Sequence, residues 1–223
     1  MQYTRNIYFT LLLLLIGVTG FSQTTFSLAT DFTVLRSFKK QQQFLAVGQT
    51  IAGHFHITPK EGVYVWLAYC TNGKFNNDIT ATAKSALTLP QEITYNNRST
   101  LKFQHISVGW KHYLKGSSNA ESKWNLYGYA GFGLMFAQVV NIQSPGVDSL
   151  DYTLPVFPGK ANFKRLTFDL GLGYEMPLGG DVFLYVEGKT LIPTTDYPSD
   201  HLFINNNAPF TASVNLGLRI LFQ

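Results

Sequence analysis

From Phe210 to Phe222 every even-numbered residue is apolar: Phe210, Ala212, Val214, Leu216, Leu218, Ile220 and Phe222. The odd positions Thr211, Ser213, Asn215, Gly217 and Arg219 are polar or small, and only Leu221 breaks the pattern. Side chains on a strand alternate between faces, so this segment has one greasy face and one wet or tight face. Strands of soluble sheets usually run about 5–6 residues. A strand that crosses a bilayer needs about 9–11 tilted residues with one face on lipid. The pattern predicts such a strand over Ala208–Gln223.

The other end of the chain reads differently. Arg5 precedes the apolar run Ile7–Val18, and Gly20 and Ser22 stand at the −3 and −1 spacing of a signal-peptidase site. Residues 1–22 are therefore expected to be a secretory signal peptide, with cleavage after Gly20 as the alternative, and residues 23–223 a single domain. Cys70 is the only cysteine, which excludes an intramolecular disulfide and places no lipoprotein box at the signal. Charged residues make up 13% of the chain, well below the roughly 25% of soluble globular proteins, while aromatics reach 15%. No second apolar run is long enough for a membrane helix. An exported, aromatic, poorly charged chain without such helices points to a transmembrane β-barrel. The formal charge is +4, one unit of which is Arg5, and no basic block argues for nucleic acid.

Period-two alternation predicts eight strands, near 25–37, 44–57, 63–75, 101–114, 124–137, 165–176, 182–191 and 208–223. The third is ambiguous, because Tyr64 and Trp66 oppose Val63, Val65 and Leu67. The connections are an independent check. Those near 58–62, 115–123 and 177–181 are short and turn-like; those near 76–100, 139–164 and 192–207 are long, and 38–43 is intermediate. Short turns on one side and longer loops on the other are the mark of an outer-membrane barrel. The expected fold is thus all-β, an eight-stranded antiparallel up-and-down barrel. Eight is even, so both termini are expected in the periplasm.

Several motifs agree. Asn215, Gly217, Ile220 and Phe222 resemble the C-terminal assembly signal of bacterial outer-membrane barrels, with Gln223 as a departure, since that signal usually ends on the aromatic. Phe21-Ser22-Gln23 and the hairpin GLGYEMPLGG at Gly171–Gly180 complete a resemblance that spans the mature chain. The sequence is similar to the small eight-stranded barrels typified by the transmembrane domain of outer-membrane protein A, and to the outer-membrane β-barrel domain family common in Bacteroidetes. The resemblance implies an outer-membrane location, contact with the barrel-assembly machinery during insertion, and no particular reaction.

An eight-stranded barrel is just wide enough for side chains to fill it. Strand parity sends Asp31, Lys111, Arg165, Asp169, Glu175, Glu187, Lys189 and Arg219 inward. Charges in so narrow a space must pair and hydrogen-bond. Folding the last hairpin but one about Pro177–Asp181 sets Asp169 opposite Lys189, and an ion pair is expected there. Such a plug is structural and leaves no pore. His54 and His56 share the inward face, but further ligands are lacking, so interior histidines are expected and no metal or other cofactor. Phe103-Gln104-His105-Ile106-Ser107 resembles the His-x-Ser element of outer-membrane lipid A deacylases, in which His105 and Ser107 would be base and nucleophile. That family continues with Asn where Val108 stands, and both residues face inward. Glycines at 128, 131, 133, 171 and 173 resemble phosphate loops only loosely and are expected to make room for aromatic rings.

The outer loops are where a scaffold barrel would carry function. Asp148, Asp151, Asp196 and Asp200 are too irregularly spaced for a calcium site and are read as solvated charge. Lys39, Lys40, Arg98, Lys102, Lys160 and Lys164 gather near the outer rim, suited to neutralising lipopolysaccharide phosphates. The sequence-based expectation is a monomeric, non-enzymatic outer-membrane barrel, structural in the envelope or surface-binding through its loops, with membrane lipid and lipopolysaccharide as partners. The alternatives are a lipid A-modifying enzyme and a soluble exported ligand-binding barrel.

Overall fold

A computed structural model describes residues 25–38, 42–119, 123–194, 200–202 and 211–222. The expected signal peptide, Lys39, Lys40, Asp196, Phe210 and Gln223 lie outside the described residues. The strands are β1 (Thr25–Ser37), β2 (Leu45–Thr58), β3 (Glu61–Ala83), β4 (Glu92–Lys115), β5 (Asn125–Ser144), β6 (Tyr152–Thr153), β7 (Gly159–Gly179), β8 (Val182–Pro193) and β9 (Thr211–Phe222). β6 is a two-residue strand on the tip of β3. The other eight each pair antiparallel with their chain neighbours, and β1 pairs with β9 to close the ring. Closure leaves no strand edge, which is what a strand-built membrane protein requires.

The faces follow the sequence parity. Leu28, Phe32, Ile51, Leu67, Val108, Phe132, Leu172, Val214 and Leu216 point outward and are exposed. This belt of apolar side chains suits lipid and not water. In the ambiguous third strand, Tyr64 and Trp66 are the inward residues. Their rings pack on Tyr129, with centroids 5.3 and 5.5 Å away. The inward glycines make this possible. A Cβ at Gly171 or Gly173 would strike the rings of Tyr129 or Tyr127, so each ring lies across a glycine on the neighbouring strand.

The lumen is filled in two layers. Nearer the termini it is polar, with Lys111, Glu175, Glu187, Lys189 and Arg219 among tyrosines. Toward the long-loop end it is apolar, built from Leu35, Phe44, Phe75, Leu101, Phe103, Met135, Val139, Phe163 and Leu191. Voids there are about 20 Å³, lined in one case by Phe44, Leu101, Phe103 and Met135 and in another by Trp66, Cys70, Phe103 and His105. A space of that size holds about one water. An open ligand cavity of the kind a soluble carrier barrel needs is not formed among the described residues.

Two long connections are corrected. Residues 76–83 and 92–100 continue β3 and β4 as a paired hairpin, and 139–144 and 159–164 extend β5 and β7. The four strands run 20–24 residues, about twice what a bilayer crossing needs. Outward positions on the extension of β3 are Lys74, Asn76, Asp78, Thr80 and Thr82, so the wall turns polar where the strands leave the lipid zone.

Candidate functional site

The structure places all eight expected interior charges inside, none more than 6% exposed. Four are cationic and four acidic, so their formal charges cancel. Glu175 is the hub of one cluster. Arg219 donates from Nε to its Oε2 at 2.8 Å and from Nη2 to its Oε1 at 2.7 Å. Asn125 Nδ2 donates to Oε1 at 2.9 Å, and Lys111 Nζ lies 3.9 Å from Oε2. Asp31 anchors a second cluster: it accepts from Tyr185 at 2.9 Å, Thr33 at 2.7 Å and Asn215 Nδ2 at 2.8 Å. Glu187 accepts from Tyr127 at 2.8 Å and Tyr129 at 3.3 Å.

The expected Asp169–Lys189 pair is not formed. Asp169 stands opposite Leu191, and Lys189 opposite Gly171. Lys189 Nζ instead lies 3.1 Å from Glu187 and 4.0 Å from Asp31, while Asp169 sits 3.4 Å from His105 Nε2. The cause is the turn. Gly179 and Gly180, both at positive φ, allow the strands to run to a two-residue connection with a bulge between Pro177 and Gly179. The register is thus two residues away from the one a wider loop would give.

Sequence parity overlooked one feature of this interior. Each of three cations lies on an aromatic ring: Lys111 Nζ 3.5 Å from the Tyr127 centroid, Lys189 Nζ 3.7 Å from Trp66, and Arg219 Cζ 4.0 Å from Phe183. Part of the signal was present: Tyr127 and Phe183 share the inward parity of the charges on their strands, while the face of Trp66 was ambiguous. Such contacts gain strength where the cation is desolvated.

His105 and Ser107 are buried at 2% and 1% exposure in the middle of the lumen. Ser107 donates to the Phe132 carbonyl at 3.2 Å, and His105 Nε2 bonds Thr167 at 2.9 Å. A nucleophile must be in hydrogen-bond reach of its base and of a substrate. Here the pair faces away from lipid and each member is engaged elsewhere. His54 and His56 stack at 6.3 Å, and His56 Nε2 bonds Ser27 at 2.7 Å. Among the described residues no three His, Cys, Asp or Glu side chains gather as metal ligands.

Of the residues resembling the assembly signal, Asn215 points inward to Asp31, and Gly217 abuts Thr30 and Asp31 of β1. Ile220 and Phe222 face outward. Arg98 and Lys102 on β4, and Lys160 and Lys164 on β7, are exposed on the outer wall of the extensions.

The extensions carry a second hydrophobic cluster, Ile79, Ala81, Tyr95, Tyr152, Leu154 and Val156. Loop 145–158 folds onto the β3–β4 hairpin through the β3–β6 pairing. The Lys84 amide donates to the Asp151 carbonyl at 2.9 Å, and Lys84 Nζ to that of Ser149 at 2.7 Å. Tyr152 donates from its hydroxyl to the Pro90 carbonyl at 2.9 Å. The result is a structured platform beyond the lipid belt, with Leu87, Leu89 and Leu150 at least 81% exposed on it. Asp148 and Asp151 lie on this platform, where Asp148 caps the turn through the Leu150 amide at 2.8 Å.

No family model and no curated protein matches the chain. Solved structures do. Neisserial surface protein A aligns with a TM-score of 0.57 at 11% identity, covering 90% of this chain and all of its own. A major outer-membrane protein of Thermus thermophilus aligns at 0.52 and 11% identity, over 88% of this chain and 99% of that one. The attachment invasion locus protein Ail of Yersinia pestis aligns at 0.51 and 10% identity, over 90% and 99%. The fold is that of the small eight-stranded outer-membrane barrels. At these identities the likeness speaks for architecture, and it covers each neighbour almost completely.

Proposed function

We propose that this protein is a non-enzymatic integral barrel of the outer membrane whose long-loop end lies at the cell surface and serves as a binding platform. The observation that carries the reading is the platform itself. Loops that only link strands have no need of a hydrophobic cluster, a strand pairing between two loops, or three leucines exposed at the apex. The filled lumen supports a scaffold role over transport, and the outward apolar belt supports membrane insertion over a soluble carrier. In this reading residues 1–22 direct export, the barrel is a monomer, both termini are periplasmic, and Ile220 and Phe222 are read by the assembly machinery.

Topology is tested with single cysteines, since Cys70 is buried and unreactive from outside. Ser85→Cys on the platform is expected to react with an impermeant maleimide on intact cells. Lys60→Cys in the opposite turn is expected to react only after the envelope is opened. The reverse pattern would sink the orientation. For binding, Leu87→Asp with Leu89→Asp and Leu150→Asp is expected to abolish capture of surface partners by intact cells while the heat-modifiable barrel band persists. As a check on catalysis, Ser107→Ala and the natural chain are expected to give identical lipid A mass spectra. A deacylated species dependent on Ser107 would overturn the non-enzymatic reading.

A further inference from the structure

The outer wall changes character along one row of hydrogen-bonded neighbours. Tyr69, Gln104, Phe136 and Lys164 stand side by side on β3, β4, β5 and β7. Toward the termini the outward residues are apolar. Ile106 and Leu134 stand in the adjoining row, and Phe132 and Phe168 in the one beyond it, in ring contact at 5.2 Å. Toward the long loops the next outward row is Lys102, Gln138 and Asn162, and the row beyond it includes Lys74 and Lys160. Arg98 follows on β4. A groove of about 710 Å³ lies across the transition, with Lys102 and Lys164 on its rim and Tyr69, Gln104, Phe136 and Gln138 in its lining.

Three properties single this groove out. Its lining holds two cations and no acid. None of Lys74, Arg98, Lys102, Lys160 and Lys164 makes an ion pair with a described carboxylate; the described ion pairs lie in the lumen or at the opposite rim, where His112 meets Glu61. The cations are also one-sided among the described residues, which do not include Lys39 and Lys40 of the β1–β2 connection. Among the described residues, the outward faces of β8, β9, β1 and β2 hold one charge, Arg36, which lies against the ring of Phe38.

We propose that this groove binds the phosphorylated sugar head of lipopolysaccharide, with Lys102 and Lys164 on a phosphate and an acyl chain lying along Ile106, Phe132 and Phe168. Ammonium groups bind phosphate as point charges without fixed geometry, which suits two lysines on different strands. The amides of Gln104 and Gln138 offer donors to sugar hydroxyls. Tyr69 and Phe136 sit where aromatic side chains favour the interface. An unneutralised row of cations repels itself, and a multivalent anion removes that repulsion. The site rests on the orientation in which the long loops face outward, since lipopolysaccharide fills the outer leaflet.

The test is native mass spectrometry of the purified full barrel with three probes: bisphosphorylated lipid A, the same lipid dephosphorylated, and phosphatidylglycerol. A retained adduct is expected with bisphosphorylated lipid A alone. Lys102→Glu with Lys164→Glu is expected to weaken it at least tenfold, whereas Arg36→Glu on the other side leaves it unchanged. An unaltered heat-modifiable band confirms that each variant is folded. Equal retention of phosphatidylglycerol would overturn the glycolipid assignment in favour of a general anionic-lipid surface. An adduct insensitive to the two lysines would overturn the site. The cysteine labelling above is independent, so a wrong orientation is told apart from a wrong ligand.

Discussion

Glu175→Ala is expected to cost the barrel roughly 3–5 kcal/mol, the size typical of breaking a buried ion pair by removing one partner. Glu175 is fully buried, and its two oxygens accept from Nε and Nη2 of Arg219 and from the Asn125 amide. Alanine leaves Arg219 and Lys111 enclosed without that carboxylate. Intrinsic tryptophan fluorescence during urea unfolding in lipid vesicles measures the loss, and the gel band shift reports whether the barrel still forms. Glu175→Gln keeps the shape and one acceptor oxygen, turns the other acceptor into a donor, and is expected to lose less. The double variant Glu175→Leu with Arg219→Met is expected to recover part of the alanine deficit, because it removes the Arg219 charge together with its partner while Lys111 still loses its carboxylate. An unfolding midpoint for Glu175→Ala equal to that of the natural chain would remove Glu175 from the centre of the plug.

The inward set was legible because a strand has only two faces, so parity alone assigned Asp31, Lys111, Glu175, Glu187 and Arg219 to the lumen. Parity does not say which inward residues meet. That depends on turn geometry, and the Asp169–Lys189 expectation failed because the turn at Gly179 and Gly180 sets a register two residues away. A shift of two keeps every side chain on its face while changing its partner. The platform was hidden for a different reason. Between Cys70 and Gly73 the register slips, and Asn72 adopts a positive φ of 60°. Buried positions move from even numbers, Tyr64, Trp66 and Cys70, to odd ones, Gly73, Phe75, Ile79 and Ala81. The outward face turns polar at the same point, so the lipid-facing signature that marks the rest of β3 disappears. Ile79 and Ala81 facing Ile93 and Tyr95 are the trace it left: alternation resumed in a new phase, without grease outside.

The pairing of β1 with β9 joins the two ends of the barrel, and Gly217→Val is expected to prevent it. Gly217 pairs with Asp31 on one side and Tyr185 on the other. A Cβ there would collide with the Thr30 carbonyl and lie 2.8 Å from Asp31 Cα, and backbone cannot swing aside as a side chain can. Forcing strands apart to relieve an overpacked site costs on the order of 1–3 kcal/mol. Here it also disturbs Asp31, which holds Tyr185, Asn215 and Thr33 together. The expected result is failure to form the heat-modifiable band when the purified chain is refolded in vesicles, where no assembly machinery is present. Phe222 separates this structural demand from a targeting one. Its ring lies on the outer wall, 49% exposed, stacked on Phe26 at 6.1 Å. Phe222→Ala is expected to lose only about 1 kcal/mol of aromatic contact in vesicles, yet to be depleted from the envelope of cells. A Gly217→Val chain that refolds with an unchanged midpoint would refute the close approach. A Phe222→Ala chain that accumulates normally would leave Phe222 as part of the lipid-facing wall alone.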